Sequence, residues 1–75
     1  MKEIVEVIAK AIVDNPNEVV VTERQEGRSI VIELKVAVED KTRVIGKGGR
    51  VADSIRSIVN ATSTKENKRV YVKIV

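Results

Sequence analysis

The segment Val44-Ile45-Gly46-Lys47-Gly48-Gly49-Arg50 decides how the chain is interpreted, because it places three glycines and two cations between two helix-forming stretches. Glycine permits positive φ angles and carries no Cβ, so a phosphodiester backbone can approach such a loop closely. The first turn of the helix that follows adds unpaired N–H groups and the positive end of a helix dipole. We therefore predict a phosphate-binding loop at Gly46, Lys47, Gly48 and Gly49.

Side chains around the loop extend this prediction. Lys47 and Arg50 supply positive charge beside a phosphate, and Arg43 lies one turn earlier on the preceding helix. Phosphate contacts position a strand without reading its bases. The chain has no Phe, no Trp and a single Tyr, too few rings for the aromatic platforms of sheet-type RNA readers. We therefore predict an aliphatic floor for the bases, formed by Val44, Ile45 and Val51.

The glycine spacing of this segment matches neither of two other phosphate-binding motifs. The phosphate loop of nucleoside triphosphatases needs Ser or Thr directly after Gly-Lys, and here Gly48 follows Lys47. The dinucleotide fingerprint needs a third glycine where this chain has Val51. A plain turn between two helices is the remaining alternative, but a turn needs only one or two glycines and no cluster of cations.

Outward from the loop, apolar residues at three- and four-residue spacing predict amphipathic helices from Lys2 to about Val13 and from Arg50 to about Ala61. Asp14-Asn15-Pro16-Asn17 ends the first of these helices. Asp40 is predicted to cap a short helix over residues 41–45 with its carboxylate. Thr62 to Lys68 is polar throughout and is interpreted as a loop.

Three segments have the β-branched or alternating character of strands. Residues 19–22 form the first, which ends by Gln25-Glu26-Gly27, and residues 30–38 alternate strictly to form a long second strand hairpinned to it. Residues 70–74 form the last strand. The order is helix, strand, strand, short helix, helix, strand, an α+β fold in which the helices pack on one face of a small sheet.

Length and composition limit the functions that the chain can have. Seventy-five residues predict one domain, 1–75, with an economical core. Residues 1–40 hold five basic and nine acidic side chains, net −4, whereas residues 41–75 hold nine basic and two acidic, net +7. The second half is therefore the expected surface for a polyanion. No apolar run is long enough to cross a membrane and no signal peptide opens the chain, so we expect a cytoplasmic protein.

On the loop, its position and the element order, the chain resembles the type II KH domain. Over nearly all its length it is similar to the KhpA family of small bacterial KH proteins, from Lys2-Glu3-Ile4-Val5 through the glycine loop to Arg69-Val70. The resemblance implies a three-stranded mixed sheet with helices on one face. It also implies a Gly-x-x-Gly clamp on single-stranded RNA, matched by residues 46–49.

The resemblance further implies a variable loop before the last strand, where Lys65, Lys68 and Arg69 would form the far wall of the groove. An ordinary solvated loop is an equal alternative for this segment. The expected partners are single-stranded RNA, with single-stranded DNA also possible, and a second KH chain, as a homodimer or a heterodimer with a KhpB/Jag-type protein. A role as an RNA chaperone or post-transcriptional regulator is implied in the same way.

Two other functions are alternatives to RNA binding. A dimerising adaptor with a vestigial loop fits the small core, because small domains gain stability from association. Catalysis has little support, since the chain has no His and no Cys and its serines lack a base. We expect no enzyme activity, no catalytic residue, no cofactor and no metal site.

Overall fold

A computed structural model describes residues 2–63 and 68–75 of the chain. The elements are α1 (Lys2–Ile12), β1 (Val20–Glu26), β2 (Ser29–Lys35), α2 (Lys41–Ile45), α3 (Arg50–Ser63) and β3 (Arg69–Ile74). Short 3₁₀ turns occupy Pro16–Glu18, Val38–Asp40 and Lys47–Gly49. The predicted order α-β-β-α-α-β is therefore confirmed.

The three strands form one mixed sheet in the order β1-β2-β3. β1 pairs with β2 in antiparallel fashion, and Glu26 and Ser29 are partners across the hairpin. β2 pairs with β3 in parallel, so that Ile32 lies beside Val72. A parallel pair requires a crossover connection, and here α2 and α3 provide it. β3 is consequently an edge strand, next to the helix that follows the glycine loop.

Alternate residues of the sheet face the helices and form the core. Ile32 and Leu34 of β2 are fully buried, as are Val5 of α1 and Val59 of α3. α1 and α3 each contribute buried residues at four-residue spacing and α2 contributes Val44, which brings aliphatic side chains from all three helices onto one face of the sheet. The helices are therefore on one side, and the other side of the sheet is open.

The second strand is shorter than predicted. β2 ends at Lys35, whereas the alternation of residues 30–38 predicted a strand to Val38. β1 begins at Val20, opposite Lys35, so no partner strand continues beyond that point. Val36 and Ala37, which follow the strand, are both buried. The chain leaves the sheet here and turns into α2.

The long helix extends further than predicted. α3 reaches Ser63, two residues into the segment interpreted as a loop. The hydroxyl of Thr62 donates to the carbonyl of Ile58 at 3.1 Å, and the amide of Asn60 donates to the carbonyl of Arg56 at 2.9 Å. These polar side chains satisfy their hydrogen bonds on the helix itself, so polarity alone does not end it.

Within the described residues, no helix is long and apolar enough to span a membrane. The same part of the chain contains no cluster of three acidic side chains arranged to hold a metal ion.

Candidate nucleic-acid interface

The glycine loop is a tight connection between two helices. α2 ends at Gly46, whose N–H donates to the carbonyl of Thr42 at 2.8 Å. Residues Lys47–Gly49 form one 3₁₀ turn, which is closed by the N–H of Gly49 on the carbonyl of Gly46 at 3.1 Å. α3 begins directly after, at Arg50. All three glycines of the loop have positive φ.

Gly46 is required by packing inside the protein. Its φ of 76° and ψ of 171° lie in a region that is essentially reserved for glycine. A Cβ at this position would lie 2.9 Å from the backbone nitrogen of Val51 and would overlap that residue's side chain. The absence of a side chain therefore lets the end of α2 approach the first turn of α3.

Gly48 and Gly49 differ from Gly46 because the space outside them is empty. A Cβ added at either position would meet no heavy atom within 4 Å. Gly48 is exposed and Gly49 is half-buried. At these two positions the main chain is bare towards the outside, and it adjoins the amino-terminal turn of a 14-residue helix. This geometry suits close approach by a phosphate.

The predicted cations are not equivalent. Lys47 and Arg50 are exposed beside the bare main chain. Arg43 instead forms an ion pair, in which its Nη2 lies 3.1 Å from Oδ2 of Asp14. Both side chains of this pair are more than half exposed, so the pair is weak and a phosphate can compete for the guanidinium. Arg43 therefore lies close to the segment that follows α1.

The predicted aliphatic floor is only partly exposed. Ile45 is 42% exposed, and Val51 is partly buried against the core. Val44 is fully buried, so its predicted place in an exposed floor is wrong: its side chain belongs to the core and supports the loop from below. On a helix as short as α2, consecutive residues point in different directions, and only one face can meet a ligand.

One of the three residues predicted for the far wall before the last strand lies outside the described structure. Lys65 is among the residues that the structure does not describe. Lys68 is half-buried immediately before β3, and Arg69 is exposed at the first position of that strand.

Asp40 does not cap α2 as predicted. Its carboxylate is buried and makes no capping hydrogen bond to that helix. Instead Oδ1 accepts from the backbone N–H of Asp14 at 3.1 Å, and Oδ2 accepts from the backbone and side-chain amides of Asn15 at 3.0 Å each. Asp40 therefore ties the start of α2 to the segment that follows α1. The partners lie 25 and 26 residues away, and no local sequence signal indicates them.

The same contacts control the acidity of Asp40. Burial alone would raise the pKa of this carboxyl. Hydrogen bonds from the Asn15 side chain and from the two backbone N–H groups outweigh burial, and the nearby charge of Arg43 adds to them. The net result is a pKa below the ordinary value of 3.8.

Arg56 joins α3 to the sheet, a role that was not predicted from the sequence. Its Nε donates to the carbonyl of Val72 on β3 at 3.2 Å, and its Nη1 lies 3.1 Å from Oδ1 of Asp53. A long cationic side chain next to the apolar stripe of α3 was the available signal, since such side chains often lie along apolar surface with their charge outward. Arg56 places a cation further along α3 from the glycine loop.

Comparisons with known proteins give the family. Residues 2–74 match the family model described as KhpA/KhpB, KH domain. The chain is 56% identical over 75 residues to an RNA-binding protein KhpA from Caldanaerobacter subterraneus subsp. tengcongensis. It is 53% identical over 75 residues to an RNA-binding protein KhpA from Clostridium acetobutylicum. In both cases the match covers all of this chain and all of the relative.

Solved structures show the same fold in a larger protein. Crystal structures of Aquifex aeolicus Era bound to GDP.AlF4⁻, and of Era in complex with MgGDPNP and nucleotides 1506–1542 of 16S ribosomal RNA, match with TM-scores of 0.63 and 0.64. Each is 19% identical to this chain and covers 97% of it, while the chain spans 28% of the Era chain. At that identity the likeness concerns the fold alone.

Proposed function

The chain belongs to the KhpA/KhpB family of KH domains, and from this we infer that it binds RNA. We propose that it clamps a short single strand at the glycine loop, residues 46–49. The bare main chain would receive the phosphates, while Lys47, Arg50 and Arg43 supply charge around them. Single-stranded DNA offers the same phosphates, so we expect it to be accepted as well.

One observation carries this proposal: Gly48 and Gly49 have positive φ and open space where a Cβ would stand. A loop that only had to turn the chain between two helices would need the glycine at position 46, which packing demands. The positive φ of Gly48 and Gly49 favours glycine in any loop, as it does at Gly27, but here the bare main chain adjoins the first turn of α3 and the exposed cations Lys47 and Arg50. This combination supports close approach by a phosphate.

The bases would lie beside the loop on an apolar surface. Ile45 and Val51 are the exposed and half-exposed aliphatic residues that flank the glycines. Lys65 and Lys68 are proposed as the opposite wall, on the resemblance to type II KH domains. Binding of this kind requires no chemical step, and we propose that the protein is not an enzyme. The relatives' name, RNA-binding protein, supports that view over the adaptor alternative.

A short grip of this kind is weak, and we propose that two KH chains act together. The partner is either a second copy of this chain or a KhpB/Jag-type protein. The small core supports this proposal, because association adds buried surface that one chain of 75 residues lacks. Light scattering with and without RNA measures the number of chains in each state. A cytoplasmic location and a role as RNA chaperone or post-transcriptional regulator remain predictions.

The experiment that tests the loop replaces Lys47 and Gly48 with Asp. Gly48 has φ 64° and ψ 21°, the left-handed region that Asp tolerates, and it has free space for a side chain, so the fold should persist. Two carboxylates beside the phosphate path, and the loss of one cation, should weaken binding of a short single-stranded RNA by about a hundredfold or more. Fluorescence anisotropy measures the affinity.

A matched control is available in the β1–β2 hairpin. Gly27 also has positive φ and open space around its missing Cβ, and Arg28 beside it is exposed. Replacing both with Asp changes the net charge by the same amount, at the far end of β2 from α2. Arg28 accepts a hydrogen bond from the N–H of Arg69, a residue of the predicted far wall, so the comparison uses an RNA of about four nucleotides, long enough only for the loop. The control should lose much less affinity than the loop variant. Equal losses would mean that only overall charge matters, and unchanged affinity in the folded loop variant would reject the site.

A further inference from the structure

The three cations around the glycine loop differ in what they contact inside the protein. Within the part of the chain that the structure describes, Lys47 and Arg50 form no salt bridge. Arg43 forms one, in which its Nη2 lies 3.1 Å from Oδ2 of Asp14. An acidic side chain of the protein therefore occupies the guanidinium that the proposed clamp offers to a phosphate.

Asp14 is anchored beside Arg43 through its main chain. The backbone N–H of Asp14 donates to Oδ1 of Asp40 at 3.1 Å, and the next N–H, that of Asn15, donates to Oδ2 at 3.0 Å. Asp40 is buried and lies directly before α2, three residues ahead of Arg43. Residues at this spacing share one face of a helix, so Asp40 fixes the main chain of Asp14 next to the face that carries Arg43.

The direction of a helical side chain favours the same ion pair. On α2 the Cα–Cβ bonds tilt towards the amino terminus, and Asp40 and Asp14 lie at that end. The glycine loop lies at the opposite end, where Gly46 follows Arg43 by three residues, or about 4.5 Å along the helix axis. The arginine side chain is long enough to span that distance, but it has to turn away from Asp14 to do so. Contact with Asp14 and contact with a phosphate at the loop are therefore alternatives.

Local structure gives no reason for an acidic residue at position 14. Asp14 is the second residue after α1, which ends at Ile12. The carboxyl end of a helix dipole is negative and favours cations, so a carboxylate at this place opposes the dipole. The hydrogen bond to Asp40 uses only the backbone N–H of Asp14. Among the described residues, Arg43 is the one partner of the Asp14 carboxylate.

We propose that Asp14 limits the affinity of the glycine loop for RNA by holding Arg43 away from the phosphates. The proposal rests on the proposed function and adds a residue to it, because Asp14 acts through Arg43 and does not touch the strand. Both side chains of the pair are more than half exposed, and exposed ion pairs change an equilibrium by about fivefold or less. A strand that has to break this pair binds more weakly and dissociates faster.

Asp14→Asn tests the proposal by the sign of its effect. Asparagine removes the charge and keeps the backbone N–H that Asp40 binds, so the fold should persist. The variant should bind a short single-stranded RNA about twofold to fivefold more tightly than the unmodified protein, as measured by fluorescence anisotropy. A pair that served only to join α1 to α2 would give the opposite sign, because its loss would loosen the loop. Reduced or unchanged affinity in the folded variant would therefore overturn the proposal.

The gain should depend on Arg43. Arg43→Gln should weaken binding of the same RNA, and adding Asp14→Asn to that variant should produce no gain beyond that of a control for charge. Unchanged affinity in Arg43→Gln would overturn the proposal. An undiminished gain in the double variant would also overturn it, because Asp14 would then act on the RNA directly through its charge.

Glu6→Gln is the matched control. It also removes one exposed carboxylate and releases a cation, Lys10, from an ion pair of 2.9 Å on α1. Its gain in affinity should be smaller than that of Asp14→Asn, and an equal gain would reject the specific role of Asp14. Circular dichroism verifies the fold of each variant.

The proposed function is checked separately in the same experiment. If the unmodified protein does not bind this RNA, or if the variant with Asp at positions 47 and 48 binds it equally well, the proposed function itself fails. If both results are as predicted and Asp14→Asn shows no gain, only the role of Asp14 is wrong.

Discussion

Gly46 and Gly48 both have positive φ, but for different physical reasons. Gly46 has φ 76° and ψ 171° and lies against the first turn of α3, where a side chain would collide with Val51. Gly48 has φ 64° and ψ 21° and faces open space. The first glycine holds the loop together and the second leaves its outer surface bare. The sequence predicted the need for glycines, but only the three-dimensional structure distinguishes these two roles.

This division predicts that alanine lowers the free energy of unfolding by different amounts at positions 46 and 48. Gly46→Ala should lower the free energy of unfolding by about 3 kcal/mol or more, because it combines a glycine-only conformation with overlap against backbone. Gly48→Ala should cost about 1–2 kcal/mol, the penalty of the left-handed region alone. Urea denaturation of the two variants measures both values. Equal costs would contradict the assignment of Gly46 to packing.

Asp40 shows where local sequence rules fail. An aspartate directly before a helix predicts an N-cap, and the position is correct, but the carboxylate binds Asp14 and Asn15 instead. Two backbone N–H groups left free after α1 compete for it, and they belong to a segment distant in sequence. Tertiary contact, which no local pattern contains, decides the outcome.

Asp40 also predicts a pH dependence of stability. Its pKa is lower in the folded chain than the ordinary value of 3.8, so the unfolded chain binds a proton more readily. The ionised Asp40 carboxylate therefore stabilises the fold fully above the ordinary pKa. This stabilisation is lost as the pH falls through the lowered pKa of the folded chain. Asp40→Asn should reduce the melting temperature at pH 7, and this difference should shrink as the pH approaches about 3. Glu18→Gln, at an exposed carboxylate outside this network, serves as the control. If the difference in melting temperature does not depend on pH, the ionised Asp40 carboxylate is not the source of the stabilisation.

At the scale of elements, apolar periodicity predicted the helices and strands well and their ends less well. The stripe of α1 and the alternation of β3 agree with the structure to within one residue at each end. β2 was predicted too long because alternation continues in the sequence after β1 has ended, and pairing needs a partner. α3 was predicted too short because Thr62 is polar, yet its hydroxyl bonds within the helix.

The amphipathic division of α1 can be tested with two valines on the same helix. Val5 is fully buried in the core, whereas Val7 is 69% exposed. Val5→Ala should lower the free energy of unfolding by about 2–3 kcal/mol, because it removes two buried methyl groups and leaves a cavity. Val7→Ala should change stability by less than about 0.5 kcal/mol. Chemical denaturation compares them, and a reversed order would mean that α1 packs with its other face inward.

At the scale of the whole molecule, the charge asymmetry of the sequence corresponds to a spatial division. Residues 41–75, net +7, supply α2, the glycine loop, α3 and β3, whereas the acidic first half supplies α1, β1 and β2. The loop and its cations were predictable because they are contiguous in sequence. The contact of Arg56 with Val72 was not, since it joins α3 and β3 across 16 residues of sequence.

This division predicts a clear response to salt. If Lys47, Arg50 and Arg43 neutralise about three phosphates of a single strand, the logarithm of affinity should fall with that of salt concentration at a slope of about −2. Between 50 and 200 mM salt this amounts to a loss of about tenfold to twentyfold. Titrations at several salt concentrations measure the slope. A slope near zero would contradict phosphate clamping.

The most direct measurement of the central claim is an NMR titration of the ¹⁵N-labelled protein with a short single-stranded RNA. Gly46, Lys47, Gly48, Gly49 and Arg50 each carry a backbone amide that reports on its own position. The account predicts that these five amides shift most, and that those of the β1–β2 hairpin at Gly27 and Arg28 shift little. Large shifts elsewhere, with the five loop amides unchanged at saturation, would contradict it.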